Sequence, residues 1–239
     1  MSKMSWKREG TVAVLTLENG ENRHNPDFVE AFLAALDAIE ADREVRSLVI
    51  ASSDAKNWSL GIDLQWVIGA AQTPSRHDEL RGFLHGMNRM FTRVLNYPMP
   101  VVAAIAGHCF GNGAILACAC DFRFMRSDRG FFCFPEVDVN IPFLPGMLAI
   151  VERVFPAWLL DSMYLSGRRA GGAELLEHHV VTGTAEGPEA LLAAAVTFAA
   201  GFDKGRGIFG EIKRRKHQSV VDVFSGADMP IIEGLKVMA

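Results

Sequence analysis

Three features of the sequence predict an α/β fold. Short runs rich in β-branched residues, at 11–17, 48–50 and 101–105, alternate with segments whose apolar residues recur at helical spacing. Two apolar segments run into glycine turns that open helices, one at Leu60-Gly61 and one at Gly111-Asn112-Gly113. The chain has 239 residues, 49% of them apolar, which is enough for a large core that needs neither disulfides nor metal to hold it.

The elements follow in order. Residues 11–17 alternate and pair with the segment around Trp6 across Glu9-Gly10, giving an opening hairpin. After a polar loop, Pro26 starts a helix whose apolar face is Phe28, Val29, Phe32, Leu36 and Ile39, ending near Asp42. Leu48-Val49-Ile50 is a strand. The segment 57–64, Asn-Trp-Ser-Leu-Gly-Ile-Asp-Leu, feeds a short helix over 65–71. Leu80, Leu84, Met87, Phe91 and Leu95 mark a long helix over 77–95, stopped by Tyr97-Pro98-Met99-Pro100. A central strand over 101–105 then enters the loop of Gly107, Gly111, Asn112 and Gly113, and a small apolar helix follows.

Two short buried strands come next, at 122–125 and 131–134, with Pro135-Glu136-Val137-Asp138 directly after them. The second half is helical, over 147–154, 157–165, 172–177 and 189–200, with a short strand at 180–182. A glycine-rich joint at 201–210 precedes a last helix over 211–223 that carries Lys213, Arg214, Arg215 and Lys216. No internal repeat or low-complexity tract is visible in the sequence.

Composition narrows the function. The 24 basic and 28 acidic residues leave a net charge of −4, without the broad positive footprint that nucleic acid or an anionic membrane requires. No run reaches the roughly 18 apolar residues of a membrane span. Residues 1–10 lack the apolar core of a secretory signal, and the terminal Lys-Val-Met-Ala matches no retention or peroxisomal signal, so a cytoplasmic location is expected. Cys109, Cys118, Cys120 and Cys133 lack metal-ligand spacing and read as buried thiols in a reducing compartment.

The glycine turns carry the chemistry. A strand that ends in a glycine turn and a helix start leaves main-chain N–H groups unpaired, beside the positive end of a helix dipole. Two such turns can converge on one oxygen that gains negative charge, although glycines also serve turns that only need positive φ. Glu136 follows a mostly aromatic run, where desolvation raises a carboxyl pKa and makes a base suited to neutral pH; a surface ion pair is the other reading. The four consecutive basic residues read either as a solvated helix face or as a phosphate site.

Taken together, Trp58-Ser59-Leu60-Gly61-Ile62-Asp63-Leu64, residues 106–121 and Phe134-Pro135-Glu136-Val137-Asp138-Val139 resemble the crotonase, or enoyl-CoA hydratase/isomerase, superfamily. The resemblance covers 6–182 and returns faintly at 228–235. It implies a crotonase-like spiral of β-β-α turns over 1–182 and a helical C-terminal region over 183–239 that builds a homotrimer or dimer of trimers. It also implies an acyl-CoA thioester as substrate, with no metal, flavin or nicotinamide site. Matched to the family, the amides of Leu60 and Asn112 hold the thioester oxygen, Asn112 being tolerant of a left-handed backbone. Glu136 moves the proton. Ile115 stands where family hydratases carry their other glutamate, so the resemblance is closest to the monofunctional Δ3,Δ2-enoyl-CoA isomerases. Arg23, His24 and the backbone of Ser59, Gly61 and Ile62 are implied at the CoA adenine and phosphates, with Lys213 and Lys216 within reach of them, and Gly111 and Ile115 are implied among the substrate-binding residues. Hydration, hydrolysis, decarboxylation and non-catalytic acyl-CoA binding are the alternatives.

Overall fold

The computed structural model describes residues 3–236; the outermost residues of both termini, on which the reading of the chain ends partly depends, lie outside that range. The hairpin forms as expected, with β1 (Met4–Glu9) antiparallel to β2 (Val12–Leu17) and Trp6 opposite Leu15. In α1 (Pro26–Ala41), Asn25 caps the N-terminus by accepting from the Phe28 amide. All five apolar residues expected on its inner face are buried.

From there the chain repeats one unit three times: a strand in a six-stranded sheet, a short strand in a second sheet, then a helix. The first unit is β3 (Ser47–Ser52), β4 (Asn57–Ser59) and α2 (Leu64–Ala71), followed by α3 (His77–Leu95). The second is β5 (Val101–Ile105), β6 (His108–Phe110) and α4 (Asn112–Ala119), and the third is β7 (Phe122–Arg126), β8 (Phe132–Cys133) and α5 (Glu136–Val139). Then follow α6 (Pro145–Val151), α7 (Ala157–Tyr164), β9 (Arg169–Ala170), α8 (Gly172–Glu177), β10 (Gly183–Ala185), α9 (Pro188–Ala200), α10 (Arg206–Ser225) and α11 (Asp228–Glu233). The large sheet runs β1-β2-β3-β5-β7-β10 and the small one β4-β6-β8-β9. This is the α/β spiral of β-β-α turns with a helical C-terminal region. The repeat is structural, with no counterpart in the residue pattern.

The large sheet is apolar on both faces, as parallel sheets covered on both sides are. Leu48, Ile50, Ala103 and Ile105 pack into the main core with α1 and α3, while Val49, Ala51, Val102 and Ala104 meet Leu191, Ala195 and Ala199 of α9. The segment after residue 182 therefore begins with a strand and a helix that belong to this sheet.

The structure departs from the sequence reading in three places. The strand expected at 180–182 lies three residues later, because Val180 and Val181 turn back to the Leu175 carbonyl and leave 183–185 to pair with β7. The glycine-rich joint is shorter than expected: α10 already contains Gly207 and Gly210, and a β-carbon on Gly210 would stand 3.3 Å from Pro98. Close packing, not a break, accounts for Gly210. Lys213 is neither solvated nor free for phosphate; it is 3% exposed, and its Nζ donates to Asp121 Oδ2 at 2.7 Å and to the Val94 carbonyl at 3.1 Å. Lys216 is exposed.

Candidate active site

β4, β6 and β8 are adjacent parallel strands of the small sheet, so the turns that follow them lie side by side. These turns hold Gly61, Gly111 and Pro135-Glu136. Open α/β sheets bind ligands at such strand ends. The three motifs thus meet because they occupy the same place in three successive units.

The first two turns touch. Gly61 has φ +78°, and a β-carbon there would lie 2.8 Å from the Phe110 carbonyl oxygen and 2.9 Å from the Asn112 nitrogen. Only glycine permits that approach. Gly113 sits equally close to Ser59, with a β-carbon position 2.6 Å from its Oγ.

The amides of these turns differ from expectation at one position. Leu60 N donates to the Glu21 carbonyl at 3.0 Å, so it is not available to a ligand. Ile62 lies between two main-chain bonds of His24, whose N donates to the Gly61 carbonyl at 2.7 Å and whose carbonyl accepts from Asp63 N at 2.9 Å. The Ile62 amide itself meets no acceptor among the described residues. Asn112 N is the first amide of α4, likewise without an acceptor among them, as helix geometry requires. Asn112 has a helical backbone; the positive φ of this turn, +52°, belongs to Gly111.

Three expected CoA contacts are instead internal. His24 and Ser59 are both 0% exposed, and Gly61 is buried against Asn112. Ser59 Oγ gives its proton to the Asn22 carbonyl at 2.8 Å and accepts from His24 Nε2 at 3.1 Å. His24 Nδ1 is then the acceptor for Asn112 Nδ2 at 2.9 Å. Burial pulls the His24 pKa down to about 3, which keeps the ring neutral. Arg23 remains at the rim, paired with Glu21 at 2.8 Å.

Beyond the turns lies a cavity of about 60 Å³. Ile62, Asn112, Ile115 and Glu136 line it, together with Phe83, Leu84 and Met87 of α3 and with Phe143, Leu144 and Met147. Glu136 is the one titratable side chain in that lining. Its Oε2 is buried with no hydrogen-bond partner among the described residues, and burial, without a nearby cation, raises its pKa to about 8. Asp138 points elsewhere, toward Gly167. The α3 and α6 walls were not legible as site residues, because a cavity wall has the same apolar periodicity as a core face.

The four cysteines are free and buried; desolvation raises all four thiol pKa values. No cluster of possible metal ligands and no helix long and apolar enough to cross a membrane occurs among the described residues.

Comparison with known proteins gives the family and the fold. The model of the enoyl-CoA hydratase/isomerase family matches residues 7–217. The peroxisomal enoyl-CoA delta isomerase 2 of Arabidopsis thaliana is 28% identical over 193 residues, covering 80% of each chain. The mitochondrial Δ(3,5)-Δ(2,4)-dienoyl-CoA isomerase of Mus musculus is 30% identical over 186 residues, or 75% of this chain and 56% of its own. A putative enoyl-CoA hydratase of Thermus thermophilus is 29% identical over 187 residues, 74% of this chain and 71% of its own. Among solved structures, a Mycobacterium tuberculosis protein described both as an enoyl-CoA isomerase and as a probable enoyl-CoA hydratase superposes with a TM-score of 0.85 at 22% identity over 98% of both chains. The human mitochondrial Δ3-Δ2-enoyl-CoA isomerase reaches 0.87 at 17% identity, over 97% of this chain and 90% of its own. With a family model spanning most of its length, the chain belongs to the enoyl-CoA hydratase/isomerase family.

Proposed function

We propose that the protein isomerises 3-enoyl-CoA thioesters to the conjugated 2-enoyl form. The observation that carries this reading is the single carboxylate, Glu136, in the lining of a largely apolar cavity that Ile115 also lines. Hydration requires two groups to place and activate water, and the cavity offers one.

In this reading the amides of Ile62 and Asn112, rather than those of Leu60 and Asn112, hold the thioester oxygen. Glu136 takes the proton from C2; the electrons of the broken C–H bond move into the thioester, giving a dienolate whose oxygen sits at the two amides. The neutral Glu136 carboxyl then returns the proton at C4. The C3=C4 bond becomes C2=C3, the carbonyl reforms, and the carboxylate is restored. With a pKa of about 8, roughly one Glu136 in ten is ionised at pH 7, and each one is a stronger base than an ordinary carboxylate. An oxyanion donor of this kind typically contributes about 10²–10³ in rate.

CoA would leave the cavity past Arg23, and Lys216 remains a candidate for its phosphates. Exposed Val137, Trp158 and Leu165, at 52%, 58% and 68%, leave apolar surface that the subunit contacts of a homotrimer would cover. The test is an assay of the purified protein with a 3-enoyl-CoA and, in parallel, a 2-enoyl-CoA. Growth of conjugated-enoyl absorbance without hydration is expected; hydration at a comparable rate would refute the reading.

A further inference from the structure

His24 is a fully buried titratable side chain that the proton shuttle does not use. Its ring stacks on Phe28, with centroids 4.4 Å apart and planes 20° from parallel. Its main chain brackets Ile62 through Gly61 and Asp63, which leaves the Ile62 amide turned away from His24 and without an acceptor among the described residues. The side chain reaches both turns: Nε2–H to Ser59 Oγ in the first, and Nδ1 accepting from Asn112 Nδ2 in the second. Ser59 Oγ also receives the Gly61 amide at 3.2 Å, and the other Asn112 amide hydrogen is directed at Met87 Sδ at 3.0 Å. The network is closed, and every link in it ends on a residue of the two donor turns or on their immediate support. Buried polar networks satisfied in this way rigidify their surroundings, and an oxyanion site is effective only when its donors are already aimed.

We propose that His24 is a positioning residue that fixes the relative placement of the Ile62 and Asn112 amides, holding the first turn through its main chain and Nε2 and the second through Nδ1. This rests on the oxyanion site described under the proposed function. It predicts an effect on stabilisation of the enolate rather than on capture of the thioester.

The test uses the full chain and acetoacetyl-CoA, a 3-ketoacyl thioester whose enolate absorbs in the near ultraviolet, so the donors are read without turnover. His24→Phe keeps a planar ring on Phe28 and removes both nitrogens. His24→Asn keeps an acceptor near the Nδ1 position, and Asn112→Ala cuts the network from its other end. The expected result for His24→Phe is acetoacetyl-CoA binding within about threefold of wild type, with a loss of about tenfold to a hundredfold in kcat and in bound-enolate absorbance. His24→Asn should recover part of both. If His24→Phe does not fold, Asn112→Ala must show the same split between binding and enolate.

Unchanged enolate absorbance in His24→Phe or Asn112→Ala would overturn the role of His24. So would binding, enolate and melting temperature falling together without rescue by asparagine. Wild-type protein that enolises bound acetoacetyl-CoA but converts no 3-enoyl-CoA would overturn the isomerase reading, and loss of that enolate in His24→Phe would still support the positioning role.

Discussion

Glu136 Oε1 lies 3.1 Å from the point where a β-carbon on Gly111 would stand. The second and third turns of the small sheet are therefore packed together, and the carboxylate is held against the start of α4. Gly111 also has φ +52° with ψ −125°, outside the left-handed helical region that asparagine tolerates, so a side chain there is strained by roughly 1–3 kcal/mol. Gly111→Ala should lower kcat at least about tenfold by displacing the carboxylate. Its thermal stability should fall as well, so both are read on the same preparation.

The raised pKa of Glu136 sets two pH dependences of opposite sense. Activity needs the carboxylate, so kcat/KM should rise with pH through about 8, the value to which burial lifts the free protein. Stability runs the other way. The folded chain keeps this proton up to about pH 8, whereas the unfolded chain loses it near the ordinary 4.5, so the folded state binds more protons between those values and stability falls as pH rises. Glu136→Gln removes that slope. Melting curves across this range should show the variant gaining on wild type as pH increases.

Ile115 is 1% exposed and lines the same cavity as Glu136. Ile115→Glu supplies the second carboxylate and should introduce measurable hydration of a 2-enoyl-CoA. Burying an extra carboxyl should lower stability by about 2–4 kcal/mol in denaturant titration. A folded variant with no trace of hydration would show that the missing glutamate is not what separates the two reactions here.

Lys213 supports the fold through a buried pair with Asp121. Lys213→Met leaves Asp121 Oδ2 with only the Val101 amide at 2.9 Å and should cost about 3 kcal/mol or more. The KM for a CoA ester should stay unchanged. A selective rise in KM would restore Lys213 to phosphate binding.

The long elements were legible because their periodicity is strong: Leu80, Leu84, Met87, Phe91 and Leu95 mark α3 from end to end. β6 reads as loop in the sequence because its three residues are too few for an alternating pattern to show. The burial of Lys213 is invisible in the sequence because its partner Asp121 is 92 residues away in the chain. At the site, glycine spacing located the turns and the aromatic run located Glu136. Which amide faces outward was hidden, since Leu60 and Ile62 differ only in that Glu21 and His24 reach across to strap the turn. The burial of His24 is likewise a tertiary fact, set by Phe28, Ser59 and Asn112 from three different segments.

The most direct test of a single carboxylate shuttle is kcat for 3-enoyl-CoA isomerisation by Glu136→Gln beside wild type, with ester affinity measured on the same protein. Glutamine keeps the shape and removes the base. The shuttle predicts a fall in kcat of about 10²–10⁴ with affinity nearly unchanged. Turnover retained within a few-fold of wild type would contradict it.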